Sequence, residues 1–210
     1  MDQSKLELAS SYYVNGDYQL AVEAYSELKQ EYPANPLIAI NLANSNYKLK
    51  NYGKAIQNYY QAKKIIPRHK ELNNNLSIAL NEVELKQPAM LAFNGINLLE
   101  SLILVLVLNV LFIFRNRMRL PNAVKSILSI LFILSILNLC FVTYEQKRKH
   151  YGVVTEISTK AYSGDNKAYS ELFELLDGQI VELVRPGAAW SQIKYDGSLG
   201  WVENESLEII

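Results

Sequence analysis

The residues of this chain that could support catalysis or bind a metal are few and far apart. Its two histidines, His69 and His150, stand beside basic residues in expected loops, and neither has a second ligand at a spacing typical of a metal site. The single cysteine, Cys140, lies in an apolar stretch without a partner for a disulfide or a zinc site. No GxSxG, Walker A or HExxH motif occurs. We therefore expect no enzymatic activity, no catalytic residues, no metal site and no cofactor.

The charge of the chain points in the same direction. Its 210 residues include 21 basic and 21 acidic side chains, so the formal net charge is zero. A general nucleic-acid-binding protein usually carries a basic excess that neutralises phosphates. We expect no nucleic-acid partner.

The N-terminal part contains two similar segments, 16–33 and 51–67, which repeat with a period of about 34 residues. The same shift also aligns Leu8 and Ala9 with Leu42 and Ala43. This period predicts two pairs of antiparallel helices, in which small residues allow close backbone approach and prolines end the second helix. A further helix from about Glu71 to Lys86 is expected to cover the last apolar face. The aligned pairs are Tyr18 and Tyr52, Ala21 and Ala55, Tyr25 and Tyr59, and Pro33 and Pro67.

This length and pattern resemble the tetratricopeptide repeat, which implies an all-α solenoid domain at 1–87. In that family the first helix of each repeat lines a concave groove that binds peptides, and amide and tyrosine side chains suit this role. Asn41 and Asn75 could equally hold neighbouring helices together. The groove lysines of the chaperone-type members have no counterpart here, since Leu6 and Asn74 stand at those positions. The groove positions are Ser10, Tyr13, Asn41, Asn44, Tyr47, Lys48, Asn74 and Ile78.

Two apolar stretches, 96–114 and 126–144, follow the repeats. Each is about long enough to cross ~30 Å of hydrocarbon, and the intervening segment is short, basic and interrupted by Pro121. We predict a two-helix transmembrane hairpin at 88–145. Its basic loop, 115–125, is favoured on the cytoplasmic side, although the opposite flanks carry as many basic residues.

Three polar residues stand within these stretches. An intramembrane acid such as Glu100 is a candidate functional site. Glu100 lies about one turn from the start of its stretch, and neither stretch contains a basic residue, which favours helix association over proton transport. Asn109 and Asn138 are expected to join the two helices, or a partner helix, by hydrogen bonds.

The C-terminal part, 146–210, consists of short β-rich runs separated by Asp177-Gly178, Pro186-Gly187 and Asp196-Gly197. This pattern predicts a small five-stranded barrel, and it resembles bacterial SH3-like domains through Gly178, Trp190 and Gly200-Trp201-Val202. For Trp201 a place in the core is favoured, and for Trp190 core and exposed positions are equally expected. The residues that could line an aromatic peptide-binding groove are Tyr162, Trp190, Tyr195 and Trp201.

Repeats, a hairpin and an SH3-like barrel in this order resemble the BatE proteins of bacterial aerotolerance operons. The resemblance implies a multidomain inner-membrane protein with several membrane passes, both soluble domains in the periplasm, and a signal peptide removed from the sequence. It also implies membrane-anchored von Willebrand A domain proteins as partners and, indirectly, a MoxR-type AAA+ ATPase. The expected function is a non-catalytic scaffold subunit of a membrane complex. The alternative is a cell-wall tether whose barrel binds peptidoglycan.

Overall fold

The computed structural model describes residues 3–83, 98–114, 117, 120–148 and 150–210. They belong to two compact units, one formed by 1–92 with 150–210 and the other by 93–149. The first unit combines the N-terminal helices with the C-terminal strands.

Five helices begin the first unit: α1 (Gln3–Asn15), α2 (Tyr18–Glu31), α3 (Pro36–Lys48), α4 (Tyr52–Ile65) and α5 (Lys70–Glu82). Each packs against the next along the chain. The small residues that the repeat period aligns are completely buried between them, which allows the helix backbones to approach closely. These residues are Ala9, Ala21, Ala43 and Ala55.

The helix starts repeat as well. The side chain of Asn35 accepts a hydrogen bond from the backbone N–H of Leu37 at 3.0 Å, which caps α3. His69, at the equivalent position one repeat later, caps α5 by accepting a hydrogen bond from the backbone N–H of Leu72 through Nδ1 at 3.2 Å. His69 therefore has a structural role at a helix end.

Seven antiparallel strands form the sheet in the order β3-β2-β6-β5-β4-β1-β7. Apolar side chains alternate along them, and their inward set includes Val181, Ile193 and Val202, which are fully buried. The strands are β1 (His150–Val154), β2 (Ser158–Tyr162), β3 (Glu171–Leu176), β4 (Ile180–Arg185), β5 (Trp190–Tyr195), β6 (Ser198–Glu203) and β7 (Leu207–Ile209).

The helices and the sheet share a cluster of buried hydrophobic residues. Ile56 and Tyr60 of α4 lie in the same cluster of buried residues as Val153 of β1 and the C-terminal Ile210. Gly53 lies so close to the sheet that a Cβ on it would be 2.1 Å from the carbonyl oxygen of Val154. Helix α4 is therefore buried on nearly all sides.

The second unit contains α6 (Leu98–Phe114) and α7 (Asn122–Arg148), which pack against each other. The rings of Phe112 and Phe132 stack with centroids 4.7 Å apart. Among the described residues, one helix, Asn122–Tyr144, is long and apolar enough to cross a membrane, with 23 residues. Helix α6 has 17 residues, about 26 Å at 1.5 Å per residue, which is short of a bilayer core of about 30 Å.

The predicted fold class, a multidomain membrane protein with a tetratricopeptide solenoid, a transmembrane hairpin and a separate barrel, is wrong. The described residues form seven α-helices and one seven-stranded antiparallel sheet, and they contain a single candidate membrane helix. The physical reason is that β1 covers the face of α4 that an isolated solenoid would leave to solvent. The chain is a small mixed α/β protein.

Some predictions lie outside the described residues. They are the end of the α5 helix at 84–86, the boundary at 87–88, the start of the first apolar stretch at 96–97, the charges of Lys86, Arg115, Arg119 and Lys149, and the side chains of Lys147 and Arg148.

Candidate binding sites

A polar cavity of about 170 Å³ opens on the helical part of the first unit. Most of the predicted groove residues line it, together with Tyr59 and Asn75, which the sequence did not place there. The lining consists of Tyr13, Asn44, Tyr47, Lys48, Tyr59, Asn75 and Ile78.

Asn44 is the centre of the hydrogen bonds in this cavity. Its Oδ1 accepts from the hydroxyl of Tyr59 at 2.6 Å and from the Nδ2 of Asn75 at 3.1 Å. At the rim, the hydroxyl of Tyr47 donates to Glu82 at 3.2 Å. The network fixes three side chains from three helices, so the cavity is preorganised.

Two other predicted groove residues, Ser10 on α1 and Asn41 on α3, contact the tyrosine one repeat earlier. Ser10 and Asn41 hydrogen-bond the buried hydroxyl of Tyr25, and burial nevertheless raises the pKa of that hydroxyl. Asn74 is exposed and does not line the cavity, whereas its neighbour Asn75 does. The one-residue difference follows from the register of α5, which turns Asn75 and Ile78 towards the cavity.

The pKa of the Tyr59 hydroxyl is raised, and the main cause is its burial. Its phenol is therefore neutral and a hydrogen-bond donor at neutral pH. With the amide groups of Asn44 and Asn75, and the ammonium of Lys48, the cavity offers both donors and acceptors. That combination suits the main chain of a peptide, which also presents both.

A second candidate site is the outer face of β2, β5 and β6. The rings of Tyr162 and Trp190 meet edge to face with centroids 5.6 Å apart, and Trp201 pairs across the ladder with Tyr162. Both tryptophans are half-buried, while Tyr162 is buried. These three predicted aromatic residues share one face of the sheet.

Tyr195 does not share this face. It lies five residues after Trp190 on β5, and successive side chains of a strand alternate between faces. Its ring packs at 6.4 Å from Phe173, next to the core of the sheet. The predicted aromatic groove is therefore reduced to three residues.

The polar residues of the apolar helices lie in different environments. The hydroxyl of Ser101 on α6 donates to the Oδ1 of Asn138 on α7 at 3.0 Å, which joins the two helices. Glu100 is half-buried in the first turn of α6, and Asn109 is exposed on the same helix. The sequence missed Ser101, whose small buried side chain is typical of helix contacts in membranes.

The side chains that could ligate a metal are dispersed over the fold. Within the part of the chain that the structure describes, no group of three or more His, Cys, Asp and Glu side chains could hold a metal ion. Cys140 is a free, exposed cysteine.

The comparisons with known proteins leave the family open. No protein-family model matches the chain, and no curated protein is significantly similar to it.

Proposed function

We propose that this protein is a non-catalytic, membrane-anchored adaptor that binds partner proteins within a bacterial inner-membrane complex. The observation that carries the proposal is the preorganised cavity around Asn44, in which hydrogen bonds from Tyr59 and Asn75 leave a donor- and acceptor-rich surface facing solvent. Such a surface can bind a peptide segment without any catalytic group.

The anchor is the helix Asn122–Tyr144. Few of its side chains are buried against other described residues. Exposing so much apolar surface to water is unfavourable, whereas the hydrocarbon core of a bilayer solvates it.

A membrane topology follows from this anchor and the shared core. Residues 3–83 and 150–210 belong to one compact unit and share a cluster of buried residues, so we infer that both lie on the same side of the membrane. We propose that the chain also crosses the membrane once before Asn122, which makes the protein multi-pass. We place the soluble part in the periplasm and 115–125 in the cytoplasm, in line with the basic residues of that segment.

Site-directed labelling tests this topology. In a Cys140→Ser background, single cysteines at exposed Lys64, Glu156 and Arg117 would be treated with a membrane-impermeant maleimide on cells with a permeabilised outer membrane. Labelling at Lys64 and Glu156 but not at Arg117 is expected. Opposite results for Lys64 and Glu156 would refute the shared side.

The proposed partners rest on the resemblance in module order: membrane-anchored von Willebrand A domain proteins and, through them, a MoxR-type AAA+ ATPase. Tagged protein would be purified from native membranes in mild detergent, and co-purifying proteins identified by mass spectrometry. We expect stoichiometric recovery of such proteins with the wild type. The Asn44→Leu variant should recover less of them. Recovery of the tagged protein alone would contradict the adaptor role.

One observation favours a second function, a cell-wall tether. The half-buried rings of Trp190 and Trp201, which share a face of the sheet with Tyr162, could stack on the sugar rings of peptidoglycan. The purified full-length protein in detergent would be sedimented with isolated sacculi. Pelleting that Trp190→Ala abolishes would support the tether, and its absence at micromolar protein would exclude it.

A further inference from the structure

Helix α6 has a face that α7 does not cover. The face towards α7 contains the buried Ser101 and the ring of Phe112, which contact Asn138 and Phe132. Beside it runs a second row of residues that recur at intervals of four, three and four, and all of them are exposed. We call this row the Asn109 stripe, and its members are Leu102, Leu106, Asn109 and Ile113.

The spacing of the Asn109 stripe is that of a helix-packing seam. Alternating intervals of three and four residues keep side chains on the face that a coiled coil presents to its partner helix. Two members of the stripe, Leu106 and Ile113, are 66% and 63% exposed, more than any other large apolar residue described in α6. Their side chains are therefore available to pack between the side chains of a further helix.

Asn109 is the polar member of this stripe. Among the residues that the structure describes, none hydrogen-bonds its side chain, whereas Asn138 on α7 accepts a hydrogen bond from Ser101 at 3.0 Å. It lies eleven residues after Leu98 and five before Phe114, the two ends of α6. At 1.5 Å per residue these separations are about 16 and 7.5 Å, too far for its short side chain to reach the water at either end.

A carboxamide at this depth in hydrocarbon is unfavourable unless another polar group pairs with it. Hydrogen bonds between asparagine side chains and neighbouring helices are one of the interactions that join helices in membranes. The exposed Asn109 therefore indicates a helix from outside the described hairpin, with a polar group at the same depth.

A second copy of this chain supplies such a group. Copies inserted in the same orientation place α6 in parallel and every Asn109 at the same depth. A carboxamide carries both donors and an acceptor, so two of them can pair with each other. An asparagine within an apolar seam fixes the register of two parallel helices in this way. The stripe has no charged residue that would repel its counterpart.

We propose that two copies of this protein pair in the membrane along the Asn109 stripe of α6, with the two Asn109 carboxamides hydrogen-bonded to each other across a two-fold axis. The pairing rests on the crossing before Asn122 that is proposed above. A dimer presents two copies of each soluble binding surface on one side of the membrane, which raises its avidity for a multivalent partner.

The test is disulfide cross-linking of the full-length protein in native membranes, with a Cys140→Ser background and a membrane-permeable copper oxidant. Leu106→Cys and Ile113→Cys, on the stripe, should give a disulfide-linked dimer of this chain. Ile103→Cys and Val110→Cys, which are exposed on α6 outside the stripe, should give little. Equal cross-linking at all four positions, or none, would overturn the proposal. A Leu106→Cys product linked to a different membrane protein would overturn the second copy as the occupant.

A second measurement isolates the carboxamide. Full-length protein carrying donor or acceptor dyes at Lys64→Cys, in the same background, would be mixed in phosphatidylethanolamine and phosphatidylglycerol liposomes, and energy transfer followed as lipid is added. Asn109→Leu should weaken the dimer about fivefold or more, and Asn109→Gln, which keeps the carboxamide, by less than about twofold. Val110→Leu is the matched control next to it and should change nothing. An Asn109→Leu dimer as stable as the wild type would refute the pairing of the carboxamides.

The labelling experiment described above separates failure of the dimer from failure of the topology. If Arg117 is protected and Lys64 is labelled, but the stripe does not cross-link, the second copy is refuted and the crossing stands. If Arg117 and Lys64 are labelled alike, the crossing is wrong and the proposed dimer fails with it.

Discussion

The hydroxyl of Tyr59 donates a 2.6 Å hydrogen bond to the Oδ1 of Asn44, and the equivalent tyrosine one repeat earlier, Tyr25, hydrogen-bonds Ser10. The third members also correspond, since Asn75 lies one repeat after Asn41. The helical period is therefore repeated in the hydrogen bonds as well as in the packing. Each set links a helix to the helix before it and the helix after it.

Tyr59→Phe should destabilise the protein by about 1–2 kcal/mol, because it removes a buried hydrogen bond and leaves Asn44 with only Asn75 as donor. Urea unfolding of the full-length protein in micelles, followed by tryptophan fluorescence, measures this. Tyr18→Phe, at a half-buried ring on α2, is the control and should change the free energy of unfolding by less than about 0.5 kcal/mol. Equal effects of the two variants would contradict the proposed importance of this bond.

The same tyrosine predicts an alkaline effect on stability. The pKa of Tyr59 is raised in the folded state, so its contribution is complete below the unfolded value of about 10 and is lost as the pH rises above it. Between these two pKa values the loss is about 1.4 kcal/mol per pH unit for this single group. Tyr59→Phe should therefore lose less stability than the wild type between about pH 10 and 11. Parallel pH profiles would show that Tyr59 is not responsible.

Much of the helical part could be predicted because its information is local and periodic. The repeat spacing correctly predicts the buried Ala21 and Ala55, and Gly16 adopts the positive φ of 88° that its place in a turn suggests. The β-rich runs with Asp-Gly turns likewise predict strands, although the sheet has seven where five were expected.

The union of helices and sheet could not be predicted, and this is why the expected fold class is wrong. It depends on contacts such as that between Gly53 and Asp177, which are 124 residues apart. In addition, the residue type at each position is explained by its local structure alone. Gly53 stands near the start of a helix and Asp177 stands in a turn, so neither residue indicates a distant contact. A cavity of about 560 Å³, lined by residues of α2, α3 and α4 together with Glu208 of β7, was missed for the same reason, because Glu208 reaches it only through this packing.

Gly53→Ala tests the close approach of α4 to the sheet. The new Cβ would lie 2.1 Å from the carbonyl oxygen of Val154 and 2.4 Å from Asp177, so one of the two elements must move. We expect a loss of about 3 kcal/mol, at the upper end of the cost of overpacking. Thermal unfolding measured by circular dichroism would detect it.

Gly152→Ala is the matched control, because a Cβ on Gly152 would meet no atom closer than 3.7 Å. Its melting temperature should stay close to that of the wild type. If Gly53→Ala were tolerated equally well, α4 and the sheet could not pack as described.

Asp177 should contribute to stability by capping α4 from the sheet. Its two carboxylate oxygens each accept a hydrogen bond from the backbone N–H of Gly53 at 3.1 Å, while the helix's own N-cap residue, Asn51, makes no side-chain cap hydrogen bond. Asp177→Ala is therefore expected to cost about 1 kcal/mol, as for the loss of an N-cap. Asp165→Ala, at an exposed loop position, should have no measurable effect in the same urea titration.

The pH dependence of the Asp177 contribution has the opposite sign to that of most capping carboxylates. Burial raises its pKa, and this outweighs the hydrogen bonds from Gly53 and Tyr52, which lower it. The contribution is therefore complete below the unfolded pKa of about 3.9 and decreases as the pH rises through the folded value. Asp177→Asn removes the charge and keeps an acceptor oxygen, so its deficit relative to the wild type should be smaller at about pH 7 than at about pH 4. A deficit that grows with pH would mean that the helix terminus, rather than burial, dominates the pKa of this carboxylate.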